Sequence, residues 1–174
     1  MSRTPLRPWP TPGRWWASQK GSRASWPGEV VRELEAFLSS LLASEGDQVL
    51  SVVVFGSYAR GDFTRHSDVD VLVVLRESSL PFLDRLAELY EHTPRGLIQP
   101  LAYTRAEVEE MFEAGNLLVL DALREGVALF DTGFWSELRA RLEELIRRGD
   151  LVPLDPGWRI LRPPGQEPPE RVPG

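Results

Sequence analysis

The stretch VVVFGSYARGDFTRHSDVDVLVV, residues 52–74, decides the fold of this chain. Two valine-rich runs of strand length flank a connection that holds a Gly-Ser turn and a pair of aspartates. Because side chains alternate along a strand, Asp68 and Asp70 project from one face while the intervening valines point into the core. The pattern predicts two strands with polar groups gathered where the connection joins them.

The residue types in this connection suit phosphate and metal chemistry. Two neighbouring carboxylates repel each other unless a cation lies between them, and hard oxygen ligands suit Mg²⁺ or Mn²⁺ together with substrate phosphates. Gly56 lets the backbone turn sharply, and Ser57 opens a short helix whose free N–H groups and hydroxyl can hold an anion. Arg60 would neutralise further phosphate charge. A phosphate cradle is therefore predicted opposite Asp68 and Asp70.

At these residues the chain resembles the nucleotidyltransferases of the DNA polymerase β superfamily, and within it the minimal nucleotidyltransferases of bacteria and archaea. Their signature is an apolar strand, Gly-Ser, a short connection, and Asp-x-Asp followed by an apolar strand. The resemblance implies that Asp68 and Asp70 bind two divalent metals, and that a nucleoside monophosphate passes from a nucleoside triphosphate, expected to be ATP, to a hydroxyl. The implied nucleotide and phosphate contacts are Gly56, Ser57, Arg60 and Ser67.

The third extended run, residues 97–103, departs from that family. The resemblance implies a third carboxylate here, which binds the catalytic metal and helps to deprotonate the acceptor, but residues 96–103 contain no Asp or Glu. The matching positions are Leu97 or Gln99, which share a strand face, and neither can act as a base. A general base contributes about 10²- to 10⁴-fold. Pro100, which lacks an N–H, predicts an edge strand or a bulge at this run.

Whether the chain is an enzyme therefore stays open at this point. The first hypothesis is a metal-dependent nucleotidyltransferase whose acceptor is a protein, an RNA or a small molecule. The alternative is a catalytically weak or inactive nucleotide-binding, antitoxin-like module that acts with a HEPN-family partner, as the resemblance to minimal nucleotidyltransferases implies. A third and less favoured interpretation is an antibiotic-modifying enzyme similar to kanamycin nucleotidyltransferase.

Composition divides the chain into three parts. Residues 1–26 form a basic arm rich in Trp and Pro, residues 27–149 the nucleotidyltransferase domain with its C-terminal helices, and residues 150–174 a tail rich in Pro and Gly. Basic residues interleaved with aromatics can bind single-stranded nucleic acid, but packing of the tryptophans on the domain or on a second subunit is favoured. The tail is expected to be mobile, with Trp158 and Ile160 able to dock.

Overall charge and composition limit the other classes of function. The net charge of −6 and the pI near 5.1 argue against general binding of nucleic acid. The chain has no cysteine, so a disulfide framework and a thiolate metal site are excluded. No run reaches the length of a membrane span and no secretory signal is apparent, so a cytoplasmic protein is expected. An open catalytic edge with an aromatic arm suggests a homodimer.

The remaining periodicity predicts an α/β fold with a small mixed sheet, helices on one face and further helices at the C-terminus. Helices are expected after Pro27 and Pro81, and a capping box predicts another at Thr104 to Glu107. A short strand is expected at residues 127–130, followed by a final amphipathic helix. The residues predicted to face inward on the second helix are Phe82, Leu83, Leu86 and either Leu89 or Tyr90.

Overall fold

A four-stranded mixed sheet forms the centre of the structure, a computed structural model that describes residues 26–168. The central strands are β1 (Val49–Phe55), β2 (Val69–Leu75), β3 (Ile98–Thr104) and β4 (Val127–Asp131). The helices are α1 (Gly28–Glu45), α2 (Gly56–Arg60), α3 (Phe82–Tyr90), α4 (Arg105–Glu113), α5 (Leu117–Glu125) and α6 (Phe134–Arg147). A separate hairpin follows, made of β5 (Leu151–Pro153) and β6 (Trp158–Ile160).

The strands lie in the order β3-β2-β1-β4, and one end of each strand lies at the same end of the sheet. Strand β1 runs antiparallel to β2 and β4, while β2 and β3 are parallel. The end of β1 therefore lies beside the beginnings of β2, β3 and β4. We call this end of the sheet the site end, because it carries the Gly-Ser turn and the two aspartates.

Helices cover both faces of the sheet, whereas the sequence predicted cover on one face only. Val52, Val54 and Val71 pack on one face with α1, and Val53 and Leu72 pack on the other with α4, α5 and α6. The reason lies in the strands themselves, since β1 and β2 are apolar on both faces and nearly every residue in them is buried. Strands of this kind need a helical layer on each side. The α/β class with a small mixed sheet is confirmed.

Several local predictions are confirmed. Thr104 accepts a hydrogen bond from the Glu107 N–H at 3.3 Å and returns its own N–H to the Glu107 carboxylate at 2.8 Å, so the capping box begins α4. Pro27 and Pro81 directly precede α1 and α3. Strand β3, which contains Pro100, lies at the edge of the sheet as predicted.

Helix α3 turns most of the predicted residues inward, with Leu89 buried, but Leu83 lies outside and Arg85 is buried in addition. Leu83 is 74% exposed and Tyr90 47% exposed, while Arg85 is buried. The Arg85 guanidinium donates two hydrogen bonds to the Glu107 carboxylate, at 2.6 and 2.8 Å, and lies over the Phe82 ring. This pairing satisfies both charges, so α3 turns Arg85 inward and leaves Leu83 outside.

The tail after α6 contains regular secondary structure. The described part of the tail forms the β5–β6 hairpin instead of a mobile segment, because Leu151, Trp158 and Ile160 pack against α5 and its neighbours. Docking of Trp158 and Ile160 agrees with the prediction. The basic arm lies outside the described residues except for Trp26, which is buried. Within residues 26–168, no helix is both long and apolar enough to cross a membrane.

Candidate active site

The turn at the end of β1 is built on glycine. Gly56 has φ +69°, a conformation that other residues adopt only with strain, and it begins the short helix α2 directly after Phe55. Gly61 has φ +85° and ends the helix, with its N–H donated to the Ser57 carbonyl at 2.9 Å. The strand therefore passes into one tight helical turn, which holds Gly56 and Ser57 at the site end.

One of the two predicted metal ligands, Asp70, lies against this turn. Asp68 is exposed just before β2, and Asp70 is half-buried within β2, paired across the ladder with Phe55. A Cβ atom added to Gly56 would collide with Oδ2 of Asp70 and come within 3.3 Å of its carboxylate carbon. The absence of a side chain at Gly56 is thus what lets the turn approach the carboxylate. The structure therefore places Gly56 of the Gly-Ser turn beside Asp70 of the aspartate pair, and the roles predicted for these residues stay a prediction.

The electrostatics of Asp70 favour a cation. Burial raises the pKa of the Asp70 carboxyl, the negative charge of Asp68 raises it further, and Arg60 acts in the opposite direction. No side chain or backbone group among residues 26–168 donates a hydrogen bond to the Asp70 carboxylate. Two neighbouring carboxylates with this little internal compensation fit the hard oxygen donor set of Mg²⁺ or Mn²⁺, which Asp68 and Asp70 would hold.

Gln99 completes the polar group at the site end. The parallel register of β2 and β3 places Gln99 opposite Asp70, near the start of the edge strand, whereas Leu97 and Asp68 directly precede the two strands. The Gln99 Nε2 donates a hydrogen bond to Oδ2 of Asp68 at 2.9 Å. Among the described residues, no group of three or more His, Cys, Asp or Glu side chains is placed to hold a metal. Gln99 therefore meets the aspartate pair as an uncharged amide.

Comparison with known proteins agrees with this geometry. Residues 31–119, just over half of the chain, match the family described as nucleotidyltransferase domain. The chain belongs to the nucleotidyltransferase family. A relative from Methanocaldococcus jannaschii named as a candidate protein adenylyltransferase, MJ0141, is 35% identical over 83 residues, which cover 44% of this chain and 79% of that protein.

Two further comparisons extend over more of the nucleotidyltransferase chain. A second candidate protein adenylyltransferase of Methanocaldococcus jannaschii, MJ1305, is 27% identical over 138 residues, which cover 73% of this chain and 91% of that protein. The crystal structure of a candidate nucleotidyltransferase from Sulfolobus solfataricus is 19% identical, covers 66% of this chain and 92% of that chain, and has a TM-score of 0.45.

The other two predicted phosphate contacts, Arg60 and Ser67, make hydrogen bonds within the segment that joins β1 to β2. Arg60 donates from Nε to Oδ2 of Asp62 at 3.1 Å, and this hydrogen bond is the main reason that its pKa is raised. The Ser67 hydroxyl accepts the Thr64 N–H at 2.8 Å, which closes the turn before Asp68. Both side chains lie near the site end, and their contact with phosphate stays a prediction.

An aromatic stack next to the site was not predicted. Tyr58 of α2 stacks on Phe63 with ring centroids 4.2 Å apart, and Trp26 donates its indole N–H to the Tyr58 carbonyl at 3.0 Å. Burial raises the pKa of the Tyr58 hydroxyl, and the charges of Glu29 and Asp68 add to that effect. The stack holds the connection that leads from α2 to Asp68. The signal in the sequence is Phe63, a lone aromatic residue within a polar loop.

Proposed function

We propose that this chain transfers a nucleoside monophosphate from a nucleoside triphosphate to a hydroxyl acceptor, with a divalent metal. The observation that carries the proposal is the contact between the Gly56 turn and the Asp70 carboxylate, which leaves no room for a Cβ atom. Such a contact places a backbone turn suited to phosphates beside carboxylates suited to a cation. Membership of the nucleotidyltransferase family supports the same reaction.

Each residue then has a distinct role. Asp68 and Asp70 would hold Mg²⁺ or Mn²⁺, which supplies charge neutralisation at the phosphates when bound. Gly56 and Ser57 hold the triphosphate through the turn. Arg60 lies on the exposed side of α2, where a phosphate would replace Asp62 as its partner. Positioning and electrostatics carry the reaction, because phosphoryl-type transfer needs little covalent chemistry from the protein.

The donor and the acceptor are proposed from the relatives. Both relatives from Methanocaldococcus jannaschii are named for protein adenylyltransferase activity, which supports ATP as the donor and a protein hydroxyl as the acceptor. The acidic balance of this chain also disfavours a nucleic acid as a general partner. A cytoplasmic location and a homodimer stay predictions from the sequence.

Transfer of label tests the proposal. The purified full chain is incubated with each α-labelled nucleoside triphosphate, Mg²⁺ or Mn²⁺, and lysate of its own host, beside an Asp70→Asn control. Label from ATP that reaches a protein only when Asp70 is intact is the expected result. Label that transfers equally well with Asp70→Asn would contradict the proposed site.

A second candidate function rests on Gln99. This uncharged residue lies opposite Asp70, so catalysis would lack a carboxylate base on β3. The chain would then be a weak or inactive nucleotide-binding, antitoxin-like module that acts on a HEPN-family partner by contact. Metal-dependent binding of nucleotide without any transfer of label would favour this function over the first.

A further inference from the structure

Gln99, an exposed residue, makes a hydrogen bond to one residue of the aspartate pair at the site end. It lies at the start of β3, on the same sheet face as Asp68 and Asp70, because residues paired in a parallel register share a face. Its Nε2 lies 2.9 Å from Oδ2 of Asp68. A carboxylate can only accept a hydrogen bond, so the N–H₂ end of the amide must point at Asp68.

This contact has two consequences for Asp68. The amide occupies one lone pair of Oδ2 and thereby limits the orientations of a carboxylate that is otherwise exposed. The amide also brings no negative charge, and its N–H₂ end cannot ligate a cation. Toward a metal, the protein therefore offers one oriented carboxylate at Asp68 and a second at Asp70.

Charge then limits how many cations the site can hold. Two carboxylates compensate one divalent cation, whereas two such cations close together repel each other and need further anionic ligands. Mg²⁺ is commonly bound by one or two carboxylates with substrate phosphates completing its shell. At this site the triphosphate would complete the shell of the single cation that Asp68 and Asp70 hold.

We propose that Gln99 is a positioning residue that makes this a single-cation site, filled only together with the nucleoside triphosphate. Gln99 orients Asp68 through its N–H₂ group and withholds the charge that a second cation needs. The inference rests on the proposed function, and it specifies how that site takes up its metal.

Binding of Mn²⁺, measured by electron paramagnetic resonance, tests the inference without relying on activity. The full chain is titrated with Mn²⁺ alone and with Mn²⁺ plus α,β-methylene adenosine triphosphate. In this analogue a methylene group replaces the oxygen between the α- and β-phosphorus atoms, so the adenylyl group cannot be transferred. The expected result is one Mn²⁺ per chain with the analogue, and binding at least about tenfold weaker without it. Two Mn²⁺ per wild-type chain would overturn the inference.

Two variants separate charge from orientation. Gln99→Glu adds a carboxylate, so a second Mn²⁺ with the analogue and about tenfold tighter binding of Mn²⁺ alone are expected. Gln99→Met keeps the charge and removes the hydrogen bond, so one Mn²⁺ is retained with about tenfold weaker affinity. Gln48→Glu is the matched control, because Gln48 is exposed at the opposite end of the sheet and should change neither value.

The outcomes distinguish this inference from the proposed function. If the analogue binds in an Asp70-dependent way but Gln99→Glu leaves the Mn²⁺ count unchanged, the role of Gln99 is wrong and the nucleotidyltransferase proposal survives. If Gln99→Met binds Mn²⁺ with the analogue as tightly as wild type, Gln99 does not orient Asp68. If the wild-type chain binds no analogue with or without Mn²⁺, both proposals are wrong.

Discussion

Asp131 and Asp70 are strand aspartates at opposite ends of the same sheet, and their surroundings are opposite in kind. Asp131 ends β4, where its carboxylate accepts hydrogen bonds that hold the beginning of α6. Its donors are the backbone N–H groups of Gly133, Trp135 and Ser136 and the hydroxyls of Ser51 and Ser136. A carboxylate satisfied in this way has no capacity left for a ligand and acts as a helix cap.

The Asp70 carboxylate, in contrast, receives no hydrogen bond from residues 26–168. It faces the Gly56 turn and the charge of Asp68, and burial together with that charge raises its pKa. A half-buried carboxylate that receives no hydrogen bond from residues 26–168 costs stability unless something else compensates its charge. Hydrogen-bond satisfaction, and not residue type or place at a strand end, therefore separates a structural aspartate from one available to a cation.

Replacing Asp70 should have the largest effect on transfer. Asp70→Asn removes one of the two charges that would hold the metal, so we expect label transfer to fall by about 10³-fold. Initial rates of transfer from α-labelled ATP measure the change. Asp131→Asn is the control for a strand aspartate outside the site, and an equal loss of rate in that variant would remove the distinction between the two residues.

Filling the gap between the turn and Asp70 should have the next largest effect. Gly56→Ala forces a Cβ atom against the Asp70 carboxylate, and the displacement is expected to lower transfer by about 10²-fold. Gly149→Ala is the matched control, because Gly149 also has a positive φ, +78°, but a Cβ atom there meets nothing within 4 Å. Both variants carry backbone strain, so a similar loss of transfer in both would show that strain alone is responsible.

Removing the hydrogen-bonded carboxylate of Asp131 should lower the stability of the fold and leave the rate of transfer unchanged. Asp131→Ala leaves several N–H groups at the beginning of α6 without an acceptor, which should lower the free energy of unfolding by about 2 kcal/mol. Urea denaturation followed by circular dichroism measures the loss. Transfer per folded molecule should stay at the wild-type level, and a specific loss of rate would place Asp131 in the function of the site.

The smallest expected effect is a change in the pH dependence of stability. Because the folded-state pKa of Asp70 is raised, its ionisation destabilises the fold as pH rises from about 3.9 through that raised pKa. With a chelator present, Asp70→Asn should therefore be more stable than wild type at pH 7, and this difference should vanish below about pH 4. Thermal unfolding across this range measures it, and a variant less stable than wild type at pH 7 would contradict the shift.

The sequence could predict elements whose causes are local. The Thr104 capping box, the proline starts of α1 and α3 and the edge position of β3 depend on a few neighbouring residues, and all are present. The burial of Arg85 on α3 could not be predicted, because Glu107, 22 residues away, supplies the partner that makes this burial favourable. The sequence predicted that Trp158 could dock, but it did not predict the β5–β6 hairpin that carries Trp158 and from which Trp158 donates to Asp121 of α5.

The two valine-rich strands, the glycine turn between them and a shared face for Asp68 and Asp70 could be predicted from the sequence alone. These features follow from the alternation of side chains along a strand and from the freedom of glycine at positive φ, which are properties of the local chain. Only the tertiary structure decided that the turn contacts Asp70 and that Gln99 meets Asp68. Both contacts depend on the register between strands distant in sequence, which is set by packing on the two faces of the sheet.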